Sequence, residues 1–96
     1  MEVRVRYVGR DIAEYFGTSE KFEVLQIPEG STYGQLLERF RERFVQALRR
    51  RHGGRINEDM LSVFVFVSRG RNIRRIPDEP VEDGDEILVV PADAGG

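Results

Sequence analysis

The sequence predicts an α+β domain: a mixed sheet of four to five strands with one long helix packed on one face. Three observations carry that prediction. Residues 2–7 (Glu2-Val3-Arg4-Val5-Arg6-Tyr7) alternate strictly between apolar and polar, the period of a half-buried strand. Residues 33–48 repeat apolar side chains at helical spacing. Residues 62–67 and 86–90 are short runs of β-branched, aromatic and aliphatic residues that follow that helix. Two strands, a helix and two or more further strands leave a crossover long enough for the first and last strands to pair in parallel.

Each element has its own justification. In the first strand Val3, Val5 and Tyr7 point inward. Residues 9–20 hold Ile12, Ala13, Tyr15 and Phe16 between Gly9 and Gly17, and read as a helical turn or loop. Phe22 to Ile27 is a second strand that Pro28 stops. Leu25 and Ile27 share one of its faces, Phe22 and Val24 the other, and its imperfect alternation allows a bulge. Pro28-Glu29-Gly30 is a turn. Thr32 has the properties of an N-cap, with Gln35 three residues later completing a capping box. Tyr33, Leu36, Leu37, Phe40, Phe44 and Leu48 then form the apolar face of the helix, and Glu38, Arg39, Arg41, Glu42 and Arg43 take the opposite one. Arg49 to Arg51 sit where cations oppose the helix dipole, and Gly53-Gly54 ends the helix.

Residues 55–61 read as linker. In the strand Ser62 to Val67, the three valines point one way and Phe64 and Phe66 the other. Ser68-Arg69-Gly70-Arg71 is a turn, Asn72 to Ile76 a short edge strand, Pro77 to Asp85 a loop, and Glu86 to Val90 the last strand. Pro91 ends strand pairing and starts an arm. With the first and last strands parallel, this order is the β-grasp topology. The domain spans 1–91, and residues 92–96 form a flexible C-terminal Gly-Gly tail.

Composition narrows the chemistry. The 96 residues contain no cysteine, which excludes a disulfide, a cysteine-ligated metal and a thiol nucleophile. The one histidine, His52, cannot build a metal site alone, and the acids at 78–86 lack metal-ligand spacing. No apolar run approaches a membrane span and no signal-peptide core is present, so a cytoplasmic protein without membrane contact is expected. The net charge of −2 argues against direct nucleic-acid binding. Fourteen of the fifteen cations are Arg, and only Lys21 offers a side-chain amine. A chain that handles activated acyl groups has in Lys21 its one possible self-acylation target.

The turn Ile27-Pro28-Glu29-Gly30-Ser31-Thr32 and the helix opening Tyr33-Gly34-Gln35-Leu36-Leu37 carry a family likeness. So do Val81-Glu82-Asp83-Gly84-Asp85-Glu86-Ile87 and the end Pro91-Ala92-Asp93-Ala94-Gly95-Gly96. Together, over nearly the whole chain, these runs resemble the MoaD/ThiS sulfur carriers. They resemble equally the small archaeal modifiers and ubiquitin-related modifier proteins of the same superfamily. The chain departs from the usual MoaD pattern in three places. Ser68-Arg69-Gly70-Arg71 stands where an Asn-Gly turn is usual, residues 49–61 are longer and more basic, and Asp93 occupies a usually apolar tail position.

The resemblance implies a ubiquitin-like, β-grasp carrier with no catalytic residue and no bound cofactor of its own. Its Gly96 carboxylate is the substrate of a ubiquitin-activating-type, MoeB-like adenylating enzyme that uses ATP and magnesium. A sulfur donor then yields a thiocarboxylate, for molybdopterin synthesis with the synthase large subunit or for tRNA thiolation. The first alternative is a protein modifier conjugated through Gly96 to lysines of target proteins. The second is a plain β-grasp protein-binding module in which the glycines are incidental.

The tail chemistry fits the residues. Glycine lacks a Cβ, so Gly95 and Gly96 can lie extended in a tunnel where any side chain would clash, with Ala94 and Pro91 completing the recognised tail. A frayed end is the bland alternative. For partner recognition, one helix covers one sheet face, and the other face is expected to expose Phe64, Phe66, Leu88 and Val90 as an apolar patch. The alternative is that residues 9–20 or 68–80 fold over these side chains and make them core. Arg49, Arg50, Arg51 and Arg55 read as a solvated helix end, with binding of an acidic partner or RNA as the alternative, and Arg69, Arg71, Arg74 and Arg75 as a basic edge that guards the sheet.

Overall fold

The structure, a computed structural model, describes residues 1–52 and 58–92, the side chains of 51, 52 and 58–60 excepted. The chain runs β1 (Glu2–Tyr7), α1 (Arg10–Glu14), β2 (Phe22–Gln26), α2 (Tyr33–His52), β3 (Phe64–Ser68), β4 (Arg71–Asn72) and β5 (Glu86–Pro91). Two 3-10 turns, Glu58–Val63 and Ile73–Arg75, flank the β3–β4 hairpin. The five strands form one sheet in the order β2-β1-β5-β3-β4. Strand β1 pairs parallel with β5 (Arg4↔Glu86 to Tyr7↔Val89), and every other pairing is antiparallel. This is the β-grasp arrangement.

The capping box closes as its residues dictate. The Thr32 backbone N–H donates to Gln35 Oε1 at 2.9 Å, and the Gln35 N–H donates to Thr32 Oγ1 at 3.3 Å. Gly34 sits at a close approach: a Cβ there would meet the Pro77 carbonyl oxygen at 3.1 Å, and the Gly34 N–H donates to that oxygen at 2.9 Å. Tyr33, Leu36, Phe40, Phe44 and Leu48 are buried against the sheet, and Leu37 packs at the margin of the core. Arg43 and Glu23 form a two-pronged ion pair that ties α2 to β2 beneath the Tyr7 hydroxyl.

Four expectations need correction. The β1–β2 ladder is continuous from Glu2↔Gln26 to Arg6↔Phe22, with no bulge. Residues 58–61 are not linker but part of a 3-10 turn, so β3 starts at Phe64 rather than Ser62. The Arg74 guanidinium fixes that boundary by donating to the Leu61 and Phe64 carbonyls at 2.8 and 2.6 Å. The expected edge strand at 72–76 is only Arg71–Asn72, because the chain then coils to drop Ile73 into the core. Pro91 does not end strand pairing: it is the last residue of β5, in register with Phe64, a position that needs no N–H from proline. The expected helix stop at Gly53-Gly54 lies outside the described residues.

Candidate functional site

The candidate site is the end of β5 and the surfaces around it. Strand β5 lies between β1 and β3 in the centre of the sheet, so the chain beyond Pro91 leaves from the middle of one sheet end. Gly96, Gly95, Ala94 and Asp93 lie outside the described residues. Beside the strand end is an apolar groove of about 520 Å3, walled by Ile12, Tyr15, Phe44, Val63 and Phe64 and floored by Pro91.

The expected partner patch is corrected here. Phe64 and Phe66 are buried, at 3% and 0% exposure. The register shows why. Phe66 pairs with Val89 and Phe64 with Pro91, whereas Val67 pairs with Leu88 and Val65 with Val90. Paired residues share a face, so the two rings lie on the helix side with Ile87 and Val89. Leu88 and Val90 lie on the other side. The alternative reading, in which these side chains are core, holds for Phe64 and Phe66 and not for Leu88 and Val90. Phe16, just after α1, approaches Phe64 and Phe66 with ring centroids at 5.3 and 5.9 Å, and Phe40 of α2 lies 5.0 Å from Phe66. The guanidinium of Arg74 covers Phe66 at 5.2 Å.

What remains on the outer face is aliphatic. Val65, Val67, Leu88 and Val90 are half-buried neighbours on β3 and β5. Arg4, Arg6 and Glu86 border them, and Phe22 and Val24 of β2 stand 47% and 45% exposed beyond. The alternation of β3 separates Val65 and Val67 from Phe64 and Phe66, and the register places the valines, not the rings, on the outer face.

The opposite end of β5 is fastened by charge. The buried Asp85 carboxylate accepts from the Tyr33 hydroxyl at 2.8 Å, from Arg69 Nη2 at 2.7 Å and from the Glu82 N–H at 3.0 Å. Burial raises the Tyr33 phenol above its ordinary range, and Asp85 adds to the effect. Arg69 and Gly70 both have positive φ, 53° and 78°, the conformation of a tight hairpin turn that usually takes Asn-Gly. Arg69 occupies it while pairing with Glu82 and Asp85. The basic edge is therefore largely neutralised: Arg71 pairs with Glu79, and Arg74 is turned inward, where burial lowers its affinity for a proton. Arg49 and Arg50 are exposed as expected. Among the described residues no helix is long and apolar enough to cross a membrane.

The profile of the ThiS family matches residues 13–96. The chain belongs to the ThiS family. Among solved structures it is similar to SAMP1 from Haloferax volcanii, with 19% identity, complete coverage of both chains and a TM-score of 0.61. It is also similar to a putative molybdopterin converting factor, subunit 1, from Pyrococcus furiosus. That match has 22% identity, a TM-score of 0.62, and covers 95% of this chain and 97% of the other. These likenesses establish the ubiquitin-like β-grasp fold. No curated protein sequence matches.

Proposed function

We propose that this chain is a sulfur carrier whose Gly96 carboxylate is adenylated by a MoeB-like, ubiquitin-activating-type partner and converted to a thiocarboxylate. The observation that carries the reading is the family match, which runs through the last residue of the sequence. The tail supplies the acyl group, and the partner supplies ATP, magnesium and acid–base groups. Adenylation gives an unreactive carboxylate a leaving group, and attack by sulfur then stores the acyl group as a soft nucleophile. The half-buried aliphatic face of β3 and β5 is the surface on which the partner docks, next to the root of the arm. Delivery of that sulfur to a molybdopterin synthase large subunit or to tRNA thiolation is the further step. The likeness to SAMP1 favours a second reading, conjugation of Gly96 to lysines of other proteins through the same activation.

Mass spectrometry of the intact protein from its native host tests both. Replacement of one carboxylate oxygen by sulfur at Gly96 is expected of the carrier. Gly96 joined to lysines of other proteins, with no sulfur-bearing form, selects the modifier. A tail that is never sulfurated or conjugated, in a stable complex, returns the chain to a plain binding module.

A further inference from the structure

The sheet has two edges, and they are finished differently. At one, β4 is only Arg71–Asn72, and the chain then coils into the Ile73–Arg75 turn, where the Arg74 N–H donates to Asn72 Oδ1 at 3.0 Å. So short a strand, headed by a charged side chain, gives a second chain little to pair with. The other edge is β2, Phe22–Gln26. The Met1 and Ile27 backbones exchange both hydrogen bonds, at 2.7 and 2.9 Å, and the Lys21 carbonyl accepts from the Tyr7 N–H at 2.7 Å. In an antiparallel ladder, residues that exchange bonds alternate with residues that turn both backbone groups away. Residues 21, 23, 25 and 27 therefore face β1, and Phe22, Val24 and Gln26 turn their N–H and C=O groups to the open edge.

Gln26 is guarded. Arg39 of α2 reaches over the edge and donates to the Gln26 carbonyl at 3.0 Å. The rest of the edge carries Phe22 and Val24, large apolar side chains left about half exposed on the outer face. Alternation gives Lys21 and Glu23 to the helix side. Lys21 is exposed, and Glu23 is held by Arg43. A strand edge with free backbone groups, bare apolar side chains and both signs of charge is suited to pairing with its own copy.

We propose that two copies of this chain join edge to edge, β2 antiparallel to β2, about a two-fold axis at Phe22. Three axes fit the strand, and its residues choose among them. An axis at Val24 sets Gln26 against the partner's Phe22 and needs the carbonyl that Arg39 holds. An axis at Glu23 sets two like charges opposite each other, which is unfavourable. The axis at Phe22 leaves Gln26 outside the contact. It lets the two Phe22 backbones exchange a pair of hydrogen bonds, and it sets each Lys21 opposite the partner's Glu23. On the outer face each Phe22 ring lies opposite its copy and diagonal to the partner's Val24, within reach of an aromatic side chain. The axis runs through the sheet, so both outer faces point the same way, and the pair presents two copies of the aliphatic face of β3 and β5 side by side. A contact of a few residues a side is small against the roughly 1,200 Å2 of a lasting interface, so the pairing is weak and reversible.

Sedimentation equilibrium of the full chain, from micromolar to millimolar concentration, tests the pairing. The mass is expected to rise toward two chains and to stop there, because a two-fold contact closes on itself. Lys21→Glu turns both charge pairs repulsive and is expected to weaken association about tenfold. Lys21→Arg keeps the charge and is expected to associate like the parent. The register has its own readout, since the chain contains no cysteine. Across the axis the two Phe22 Cα atoms are about 5.5 Å apart, within disulfide reach, whereas the two Val24 Cα atoms are about 14 Å apart. Under mild oxidation Phe22→Cys is therefore expected to cross-link at least about tenfold faster than Val24→Cys. A single-chain mass at millimolar concentration, a mass that climbs past two chains, Lys21→Glu associating as tightly as the parent, or equal cross-linking of the two cysteine variants would each overturn the proposal.

Discussion

Phe66 and Val67 are adjacent in β3 and have opposite fates. Phe66 is wholly buried, with the rings of Phe16, Phe40 and the guanidinium of Arg74 against it. Val67 points to the outer face beside Leu88 and stays half-buried. Both faces of this strand are apolar, so hydrophobicity alone does not say which is the core. Cover decides it. Phe16, the rings of α2 and the Arg74 guanidinium cover one face, whereas the other carries Arg4, Arg6 and Glu86, with Phe22 exposed at its β2 edge. On the proposed carrier reading, that half-buried aliphatic face beside the end of β5 is the surface left for a partner.

The widest contrast is in stability. Phe66→Ala is expected to cost about 3–5 kcal/mol, the range for deleting a buried ring and leaving a cavity. Val67→Ala is expected to cost less than about 1 kcal/mol, because its side chain already meets solvent. Urea titrations of both variants check the pair. Equal losses would mean that the two faces do not differ in cover.

The contrast depends on register, since a slip of one residue exchanges the faces of a strand. Asp85 fixes the start of β5 against Tyr33, Arg69 and the 82–85 turn. Asp85→Ala leaves a buried hydroxyl and a backbone N–H without their acceptor, at an expected cost of about 2–4 kcal/mol. Asp85→Asn keeps the shape and some of the acceptors and is expected to lose less. Thermal melts that rank the two variants equally would show that the carboxylate charge, rather than acceptor geometry, carries the anchor.

On the outer face the expected effect moves from stability to binding. Leu88→Ser is expected to change stability by less than about 1 kcal/mol, yet to weaken binding to the adenylating partner tenfold or more, about 1.4 kcal/mol. Calorimetric titration beside a denaturation curve measures both. Unchanged affinity in Leu88→Ser and Val67→Ser together would remove the outer face as the docking surface and leave the groove beside Pro91.

Much of the fold was legible because local chemistry and global position agree. The alternation of Val3, Val5 and Tyr7, the Thr32/Gln35 capping box and the apolar face of α2 each follow from spacing alone. The parallel β1–β5 pair followed from crossover length. The outer patch was misread because β3 and β5 alternate between two kinds of apolar residue, and the covering rings come from Phe16 and Phe40, outside the strand. The anchor was illegible for another reason. Arg69 and Asp85 are sixteen residues apart, and only the fold brings an exposed arginine of the turn onto a buried carboxylate of the acidic loop. Even the departure at Arg69-Gly70 gains its explanation there, as an arginine held in a glycine-like conformation by two carboxylates.

The smallest expected effect is on the covered face at its β1 end. The Tyr7 ring is buried against Phe16, with centroids 5.5 Å apart, and its hydroxyl lies 3.5 Å from Arg43. Removing that long contact in Tyr7→Phe is expected to change stability at neutral pH by less than about 0.5 kcal/mol. Alkaline pH separates the variants. Burial pushes the Tyr7 phenol well above its ordinary range, with Arg43 partly opposing the shift. The unfolded chain releases this proton near pH 10, while the folded chain still holds it. Fewer protons on the unfolded state mean that stability falls as pH rises. The contribution is complete below about pH 10 and is lost on the way up to the folded value, at about 1.4 kcal/mol per pH unit for one tyrosine. Tyr33 shifts in the same direction and contributes its own decline. Tyr7→Phe is therefore expected to lose stability more gently than the parent above pH 10, by one tyrosine's share of the slope. Denaturant midpoints taken from pH 8 to 11 measure it. Parallel curves for the two proteins would mean that Tyr7 ionises as easily in the folded state as in the unfolded one, and that the β1 end of the covered face is wetter than its packing implies.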